Sequence, residues 1–237
     1  TPELAIADCV LERRRGSLHA EMSVSALEAL HFPKWDLLRM DHYTSYTVLS
    51  SRGCSFGCSY CPYRVYQADR VVARSPENTL AEIGWLFDRW RPDYFLFRDP
   101  LFTFDTERAK AIIGRLQTVA PGVQWACETR FELLPPRLIH LMKNSGCHHV
   151  RMGIETADPA VLSEVGRIGS ASSAGRHLDR ATDTIATLKE NGILSVCFFM
   201  LGFPGDTLET AASIVEFVKK ADPDVALLNY AVPYIGT

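Results

Sequence analysis

The chain has 237 residues, 47% of them hydrophobic and 22% charged, with a net charge of -3. Such a composition excludes a disordered or fibrous chain, provides for one sizeable core, and argues against nucleic acid as the main partner, because no basic footprint is present. The longest apolar run, Ile193 to Phe203, contains a serine and falls short of the roughly 20 residues a membrane span needs, so no transmembrane helix is expected.

Residues 1 to 45 hold Arg13-Arg14-Arg15-Gly16 and Phe32-Pro33-Lys34-Trp35 with few strand signals. They read as an extension or a linker from an upstream domain, and the arginine run as a solvated surface. The chain opens at Thr1 without a methionine or a signal-peptide pattern, as a segment of a longer protein would. From Tyr46 onward strand and helix signals alternate. The first strand is expected at Tyr46 to Ser50. A helix follows from Pro76 to Trp90, with Ser75 as N-cap, Pro76 at its first position, and Leu80, Ile83, Leu86, Phe87 and Trp90 at helical spacing. The second strand is Tyr94 to Arg98. The next helix opens near Asp105, carries Ala109, Ile112, Ile113 and Leu116 on one face, and ends at Pro121-Gly122.

Strand three, Val123 to Glu128, precedes a helix from Pro136 to Asn144 and strand four, His149 to Glu155. After Asp158-Pro159 the chain loosens, and Gly169 to Ser173 reads as a flexible loop. A helix from Leu178 to Glu190 leads to strand five, Leu194 to Leu201. A last helix is expected from Asp206, with Glu209 as its capping-box partner, and a sixth strand from Val225 to Val232. Six strands separated by amphipathic helices call for parallel pairing with right-handed crossovers. Both an open doubly wound sheet and a barrel satisfy this. Polar groups gathered at strand ends favour a partial (β/α)6 barrel, TIM-like, over residues 46 to 237, with its active site at the carboxyl ends of the strands.

Cys54, Cys58 and Cys61 stand in Cys-x-x-x-Cys-x-x-Cys spacing directly after strand one. Thiolates are soft ligands for iron-sulfur clusters or zinc, and three of them on a cubane of four irons leave one iron with an open position. Gly53 and Gly57 supply freedom for the chain to curl, and Pro62 blocks immediate continuation into regular structure. A structural zinc module is the competing reading, but it would ordinarily bring a second pair of cysteines or histidines, and none is spaced for it. Seven cysteines, odd in number and partly clustered, suit a reducing, cytoplasmic interior.

Cys9 carries no information. Cys197 reads as a small core residue. Cys127 near the end of strand three and Cys147 ahead of strand four should fall at opposite ends of the sheet. His148 and His149, as strand neighbours, should point to opposite faces and not share a pocket. At the strand ends, Gln124, Ala126, Glu128 and Arg130 share one face, and Arg151, Gly153 and Glu155 share another. Salt bridges among these charges are one explanation. A ligand carrying both an ammonium and a carboxylate explains them better, given the cost of buried unpaired charge.

The stretch Cys54-Ser55-Phe56-Gly57-Cys58-Ser59-Tyr60-Cys61 resembles the signature of the radical S-adenosylmethionine (radical SAM) enzymes. Arg98-Asp99, Gly153-Ile154-Glu155 and Met200-Leu201-Gly202-Phe203-Pro204-Gly205-Asp206 are similar to that family's strand-end elements and fall in its order. The resemblance implies a [4Fe-4S] cluster on Cys54, Cys58 and Cys61 whose open iron chelates SAM. Reductive cleavage of SAM would give a 5'-deoxyadenosyl radical that abstracts hydrogen from a small-molecule or peptide substrate, with flavodoxin or ferredoxin as reductant.

By the same resemblance Phe56 and Tyr60 would lie beside the cofactor, with Tyr60 on the adenine side. Asp99 would be near the methionine amino group, Glu128 beside the cofactor, and Glu155 near the ribose. Gly202, Pro204 and Gly205 would approach the nucleoside by backbone, and Arg130 or Arg151 would pair with the SAM carboxylate. Many family members have Gly-Gly-Glu where this chain has Arg98-Asp99-Pro100. Trp35-Asp36-Leu37-Leu38, Ser51-Arg52-Gly53-Cys54 and the closing Pro233-Tyr234-Ile235-Gly236-Thr237 resemble the cobalamin-dependent branch, whose members carry a cobalamin domain ahead of the barrel and often transfer methyl groups. A methylthiotransferase-like tRNA modifier shares the Arg-Gly-Cys opening and is the alternative enzyme, and a non-catalytic iron-sulfur or zinc module is the alternative outside enzymes.

Overall fold

In the computed structural model, residues 11–12, 22–43 and 45–237 are described; Cys9 and the arginine run lie outside them. Six strands form one sheet: β1 (Tyr46–Val48), β2 (Tyr94–Phe97), β3 (Gln124–Thr129), β4 (Cys147–Glu155), β5 (Leu194–Leu201) and β6 (Val225–Tyr230). They pair in chain order, every pair parallel. Parallel neighbours that follow each other in sequence require a crossover each time, and the helices supply it. The sheet curls into the partial barrel that the alternation of elements implies.

The helices are α1 (Val24–Glu28), α2 (Tyr63–Tyr66), α3 (Pro76–Trp90), α4 (Thr106–Val119), α5 (Pro136–Asn144), α6 (Pro159–Glu164), α7 (Ala174–Glu190) and α8 (Leu208–Ala221). Their starts follow capping chemistry. Ser75 Oγ accepts from the Asn78 amide at 3.2 Å with Pro76 beside it, and Asp105 accepts from the Arg108 amide at 3.0 Å. The apolar stripes of α3, α4, α5 and α7 close over the outer face of the sheet. Leu80, Ile83, Ile112, Leu116, Leu138 and Ile185 pack there against an aromatic group in which the Phe97 and Phe102 rings stack 4.2 Å apart beside Trp125. Burial on this scale holds the barrel wall rigid, and truncating a fully buried Trp125 would cost about 3–5 kcal/mol.

Several expectations are corrected. The extension ahead of the barrel packs on it over residues 22–43: Met22 and Leu27 bury against Val72, Glu28 Oε1 accepts from the Ser75 amide at 2.8 Å, and Trp35 meets Tyr46 edge-on. Residues 159–173 are not all loop, because Asp158 caps α6 and Ala171–Ser173 form a 3-10 turn. The last helix starts at Leu208 with a capping box between Thr207 and Thr210, so Glu209 is not the partner.

Cys147 lies on β4, opposite Trp125, two residues before Cys127 on β3, so these two buried thiols are strand neighbours and not at opposite ends. A register shift there skips His148, and the bulge turns it toward His149, placing their Nδ1 atoms 3.1 Å apart. The alternation argument fails at a bulge.

Candidate active site

A short antiparallel ladder, Ser51–Arg52 with Val72–Ala73, brackets the segment that bears the three cysteines. Inside it the chain folds back on itself: the Gly53 amide donates to Gln67 Oε1 at 2.9 Å and the Cys54 amide to the Ala68 carbonyl at 3.1 Å. Gly53 is left-handed (φ 80), and a β-carbon there would run into the Arg70 carbonyl, so only glycine fits. Gly57 carries no such demand: a β-carbon at that position would meet only Arg64 at 3.8 Å. Within the loop, the Ser59 amide donates to the Val165 carbonyl at 3.0 Å, which ties the cysteine segment to the end of α6.

The root of this loop hangs on Asp99. Its Oδ1 accepts from the Ser50 amide at 2.7 Å, and its Oδ2 from Ser50 Oγ at 2.5 Å and Ser51 Oγ at 2.7 Å. Burial raises its pKa, the hydrogen bonds to Ser50 and Ser51 opposing. With no exposed surface, Asp99 lies outside the cavity lining, which counts against the methionine amino-group role read from the sequence.

All three cysteines are free and line a cavity of about 720 Å3 at the carboxyl mouth of the strands. The site residues read from the sequence that share this lining are Phe56, Tyr60, Glu128, Arg130, Arg151 and Glu155. Burial raises the thiols of Cys54 and Cys61, and each lies in the field of its neighbours, as it must if the three sulfurs surround one space. Among the described residues no three His, Cys, Asp or Glu side chains converge as a single metal ion would require.

Two cations lie against the sulfurs. Arg130 places its guanidinium 4.0 Å from the Phe56 ring centroid, with Nη1 3.8 Å from Cys58 Sγ. Its Nη2 bonds Glu132 Oε1 at 2.5 Å and the Arg167 carbonyl at 3.2 Å. Arg167 donates to the Gly153 carbonyl, and both arginines oppose, without reversing, the rise that burial imposes on the Cys54 thiol. Arg167 lines the cavity yet was missed by sequence reasoning; the Asp-Pro helix start at 158–159 was the signal that α6 would deliver it. Tyr63, Phe198, Met200 and Asn229 were also missed.

Glu155 has φ 74 at a register shift between β4 and β5, and its carboxyl, raised by burial, shares a hydrogen bond with Tyr60. Tyr60 in turn packs on Phe203, ring centroids 5.2 Å apart. Phe203 also buries against Val161 and Val165. The amides of Gly202 and Phe203 donate to Asp206 Oδ2 at 2.7 and 2.9 Å, and Gly202, Pro204 and Gly205 lie outside the cavity lining. The backbone approach expected of them is taken up by an internal carboxylate.

The charges at the strand ends pair differently from any single expectation. Glu128 meets Arg98 at 2.5 Å and Arg151 at 3.5 Å, while Arg130 turns to Glu132. Ion pairs therefore account for these groups in part, and Glu132 joins them from a 3-10 turn after β3.

A parallel partial barrel with three thiols and two guanidiniums on one cavity at the mouth of its strands carries the donor types that an iron-sulfur cluster uses. Residues 48–218 match the profile of the Radical SAM superfamily, and the chain belongs to that superfamily, whose cofactors are a [4Fe-4S] cluster and SAM. It is 30% identical over 219 residues to an uncharacterized methyltransferase of Pyrococcus horikoshii, covering 90% of this chain and 46% of the relative. Against the cytidylyl-2-hydroxyethylphosphonate methyltransferase of Streptomyces wedmorensis the identity is 25% over 233 residues, 89% of this chain and 42% of that protein.

Among solved structures, the cobalamin-dependent SAM radical enzyme OxsB with aqua-cobalamin and SAM bound superposes with a TM-score of 0.76 at 16% identity. That match covers 99% of this chain and 36% of OxsB, a likeness of fold. The chain thus spans less than half the length of these relatives. No helix among the described residues is long and apolar enough to cross a membrane.

Proposed function

We propose that this barrel cleaves SAM reductively and works as the radical-generating part of a methyltransferase, with cobalamin supplied by a domain outside these residues. The observation that carries the reading is the convergence of Cys54, Cys58 and Cys61 with Arg130, Tyr60 and Glu155 on one cavity. When bound, the cluster and SAM supply one-electron cleavage of the sulfonium carbon-sulfur bond, which yields methionine and a 5'-deoxyadenosyl radical able to take a hydrogen atom from substrate.

The chain's own residues prepare that event. Cys54, Cys58 and Cys61 present three sulfurs as ligands, and Arg130 and Arg167 offset their negative charge in a part-buried site. Arg130, close to Cys58, is better placed than Arg151 to pair with the SAM carboxylate. Tyr60, fixed between Glu155 and Phe203, gives the adenine a flat wall, and Glu155 would accept from the ribose hydroxyls. Phe198 and Met200 line the cavity and help keep water from a reactive carbon. The methyltransferase branch is favoured by both sequence relatives above, which are named as such. A cytoplasmic location and a reductant such as flavodoxin or ferredoxin complete the proposal.

Anaerobically reconstituted chain should hold about four irons and, with dithionite, convert SAM to 5'-deoxyadenosine, whereas Cys58→Ala should form none. Stoichiometric zinc, or iron that leaves SAM intact, would overturn the reading.

A further inference from the structure

Arg130 and Arg167 bring two guanidiniums to the cysteine mouth on side chains only 10% and 3% exposed, and the Glu132 carboxylate lies within 4.0 Å of both. A buried cation without a counterion is costly, so this carboxylate decides where the arginines can rest. Glu132 takes the Nε–Nη2 edge of Arg130 with both oxygens, Oε2 at 3.3 Å from Nε and Oε1 at 2.5 Å from Nη2. Backbone carbonyls take further donors: Arg130 Nη2 also reaches the Arg167 carbonyl at 3.2 Å, and Arg167 Nη2 reaches that of Gly153. The remaining corner of Arg130, Nη1, faces Cys58 Sγ at 3.8 Å, with the guanidinium 4.0 Å from the centre of the Phe56 ring. A two-point grip on one edge of a planar fork fixes the direction of its other corner.

Glu132 is itself held from behind. It sits in the 3-10 turn Phe131–Leu133, anchored by the fully buried Phe131 ring, and its carbonyl accepts from Arg180 Nη2 of α7 at 2.6 Å. His177, three residues earlier on α7, packs edge-on against Phe131 with ring centroids 4.7 Å apart and brings Nδ1 to 3.6 Å from Glu132 Oε1. Burial holds that imidazole down to about 4 against the pull of Glu132, so at neutral pH it is uncharged and leaves the carboxylate to the arginines. Seen from Cys58, the carboxylate stands behind the guanidinium.

We propose that Glu132 is the positioning residue of this site: by gripping Arg130 beside Arg167 it keeps a cation on the cysteine sulfurs, and so sets how readily the bound cluster accepts an electron. This rests on the assignment of a cluster to the three cysteines. Glu132 acts only through the arginines.

Side-chain 15N NMR of the arginine-labelled apo chain, with the Arg130 signal assigned through Arg130→Lys, follows rotation of the guanidinium. It should be slow in the parent and severalfold faster in Glu132→Gln. Anaerobic dye-mediated potentiometry of reconstituted chain follows the cluster. Loss of a remote negative charge by itself makes reduction easier, whereas release of a cation from beside the sulfurs makes it harder. Glu132→Gln should make reduction about tenfold less favourable, which is about 59 mV for one electron. Arg130→Met should do the same, and the double variant should fall no further. Glu132→Asp keeps the charge but draws it back by one methylene and should fall between; it carries the test if circular dichroism shows Glu132→Gln unfolded.

A guanidinium that turns as freely in the parent as in Glu132→Gln would overturn the grip. A potential that rises or stays put in Glu132→Gln would overturn the positioning role, because a merely structural ion pair gives no fall. Falls that add in the double variant would do so too. A parent that assembles no cluster would refute the radical-enzyme reading alone, and the rotation rates of the apo chain then support or refute the grip by themselves.

Discussion

Asp99→Asn separates a structural role from a cofactor role. The carboxylate accepts three hydrogen bonds from Ser50 and Ser51 inside a fully buried site. An asparagine keeps one accepting oxygen, which can hold the Ser50 amide, and leaves two hydroxyls facing an NH2 group. Hydrogen bonds to a charged acceptor contribute about 1.5–3 kcal/mol each, and rotation of the hydroxyls to accept from the amide recovers about 1 kcal/mol per bond. Loss of the buried charge offsets a little more, consistent with the raised pKa of this group.

The net cost is about 2–3 kcal/mol, or roughly 5–10 °C in Tm for a domain of this size. Differential scanning calorimetry of the reduced apo chain, followed by SAM titration of reconstituted protein, measures both. Asp99→Asn should melt early, yet per folded molecule it should bind SAM within about threefold of the parent. An unchanged Tm together with lost SAM affinity would refute the structural role and restore the amino-group contact.

Stability should also fall in mild acid. His149 and His177 are both depressed to about 4, each mainly by burial, whereas the unfolded chain titrates near 6.5. Between those values the unfolded state binds protons that the folded state does not, so stability is full above about 6.5 and drains away as pH falls toward 4. At pH 5 the loss is about 1–2 kcal/mol per histidine, and urea unfolding at pH 7 and 5 should show a gap that His149→Gln and His177→Gln each narrow; equal gaps in all three proteins would refute it. Gly166→Ala should cost about 2 kcal/mol or more and lower iron occupancy while helicity persists. Gly166 has φ 70, and its β-carbon would lie 2.8 Å from the Gly57 carbonyl in the cysteine loop. Full iron loading of that variant would show that α6 does not brace the loop.

The barrel was legible because its punctuation is local: Ser75-Pro76, Asp105 and Pro135-Pro136 mark helix starts, and each apolar stripe repeats at helical spacing. The cysteine spacing was equally local. What escaped depends on distant partners. Asp99 finds Ser50 across 49 positions of sequence, Glu128 chooses Arg98 over Arg130, and the Asp206 carboxylate absorbs the amides of a turn that looked free. His148 defeated the alternation rule because a bulge is a property of two strands together, and a single strand's sequence does not display it.

Glu155 sits in a backbone conformation that glycine would occupy without penalty and that costs a side-chain-bearing residue about 1–3 kcal/mol. A change to glycine would ease that tension and delete the carboxyl in a single step. Libraries of this chain sorted for thermal resilience will therefore drift toward losing the group, and libraries sorted for turnover will drift back. Heat tolerance and output pull in opposite directions at this one position.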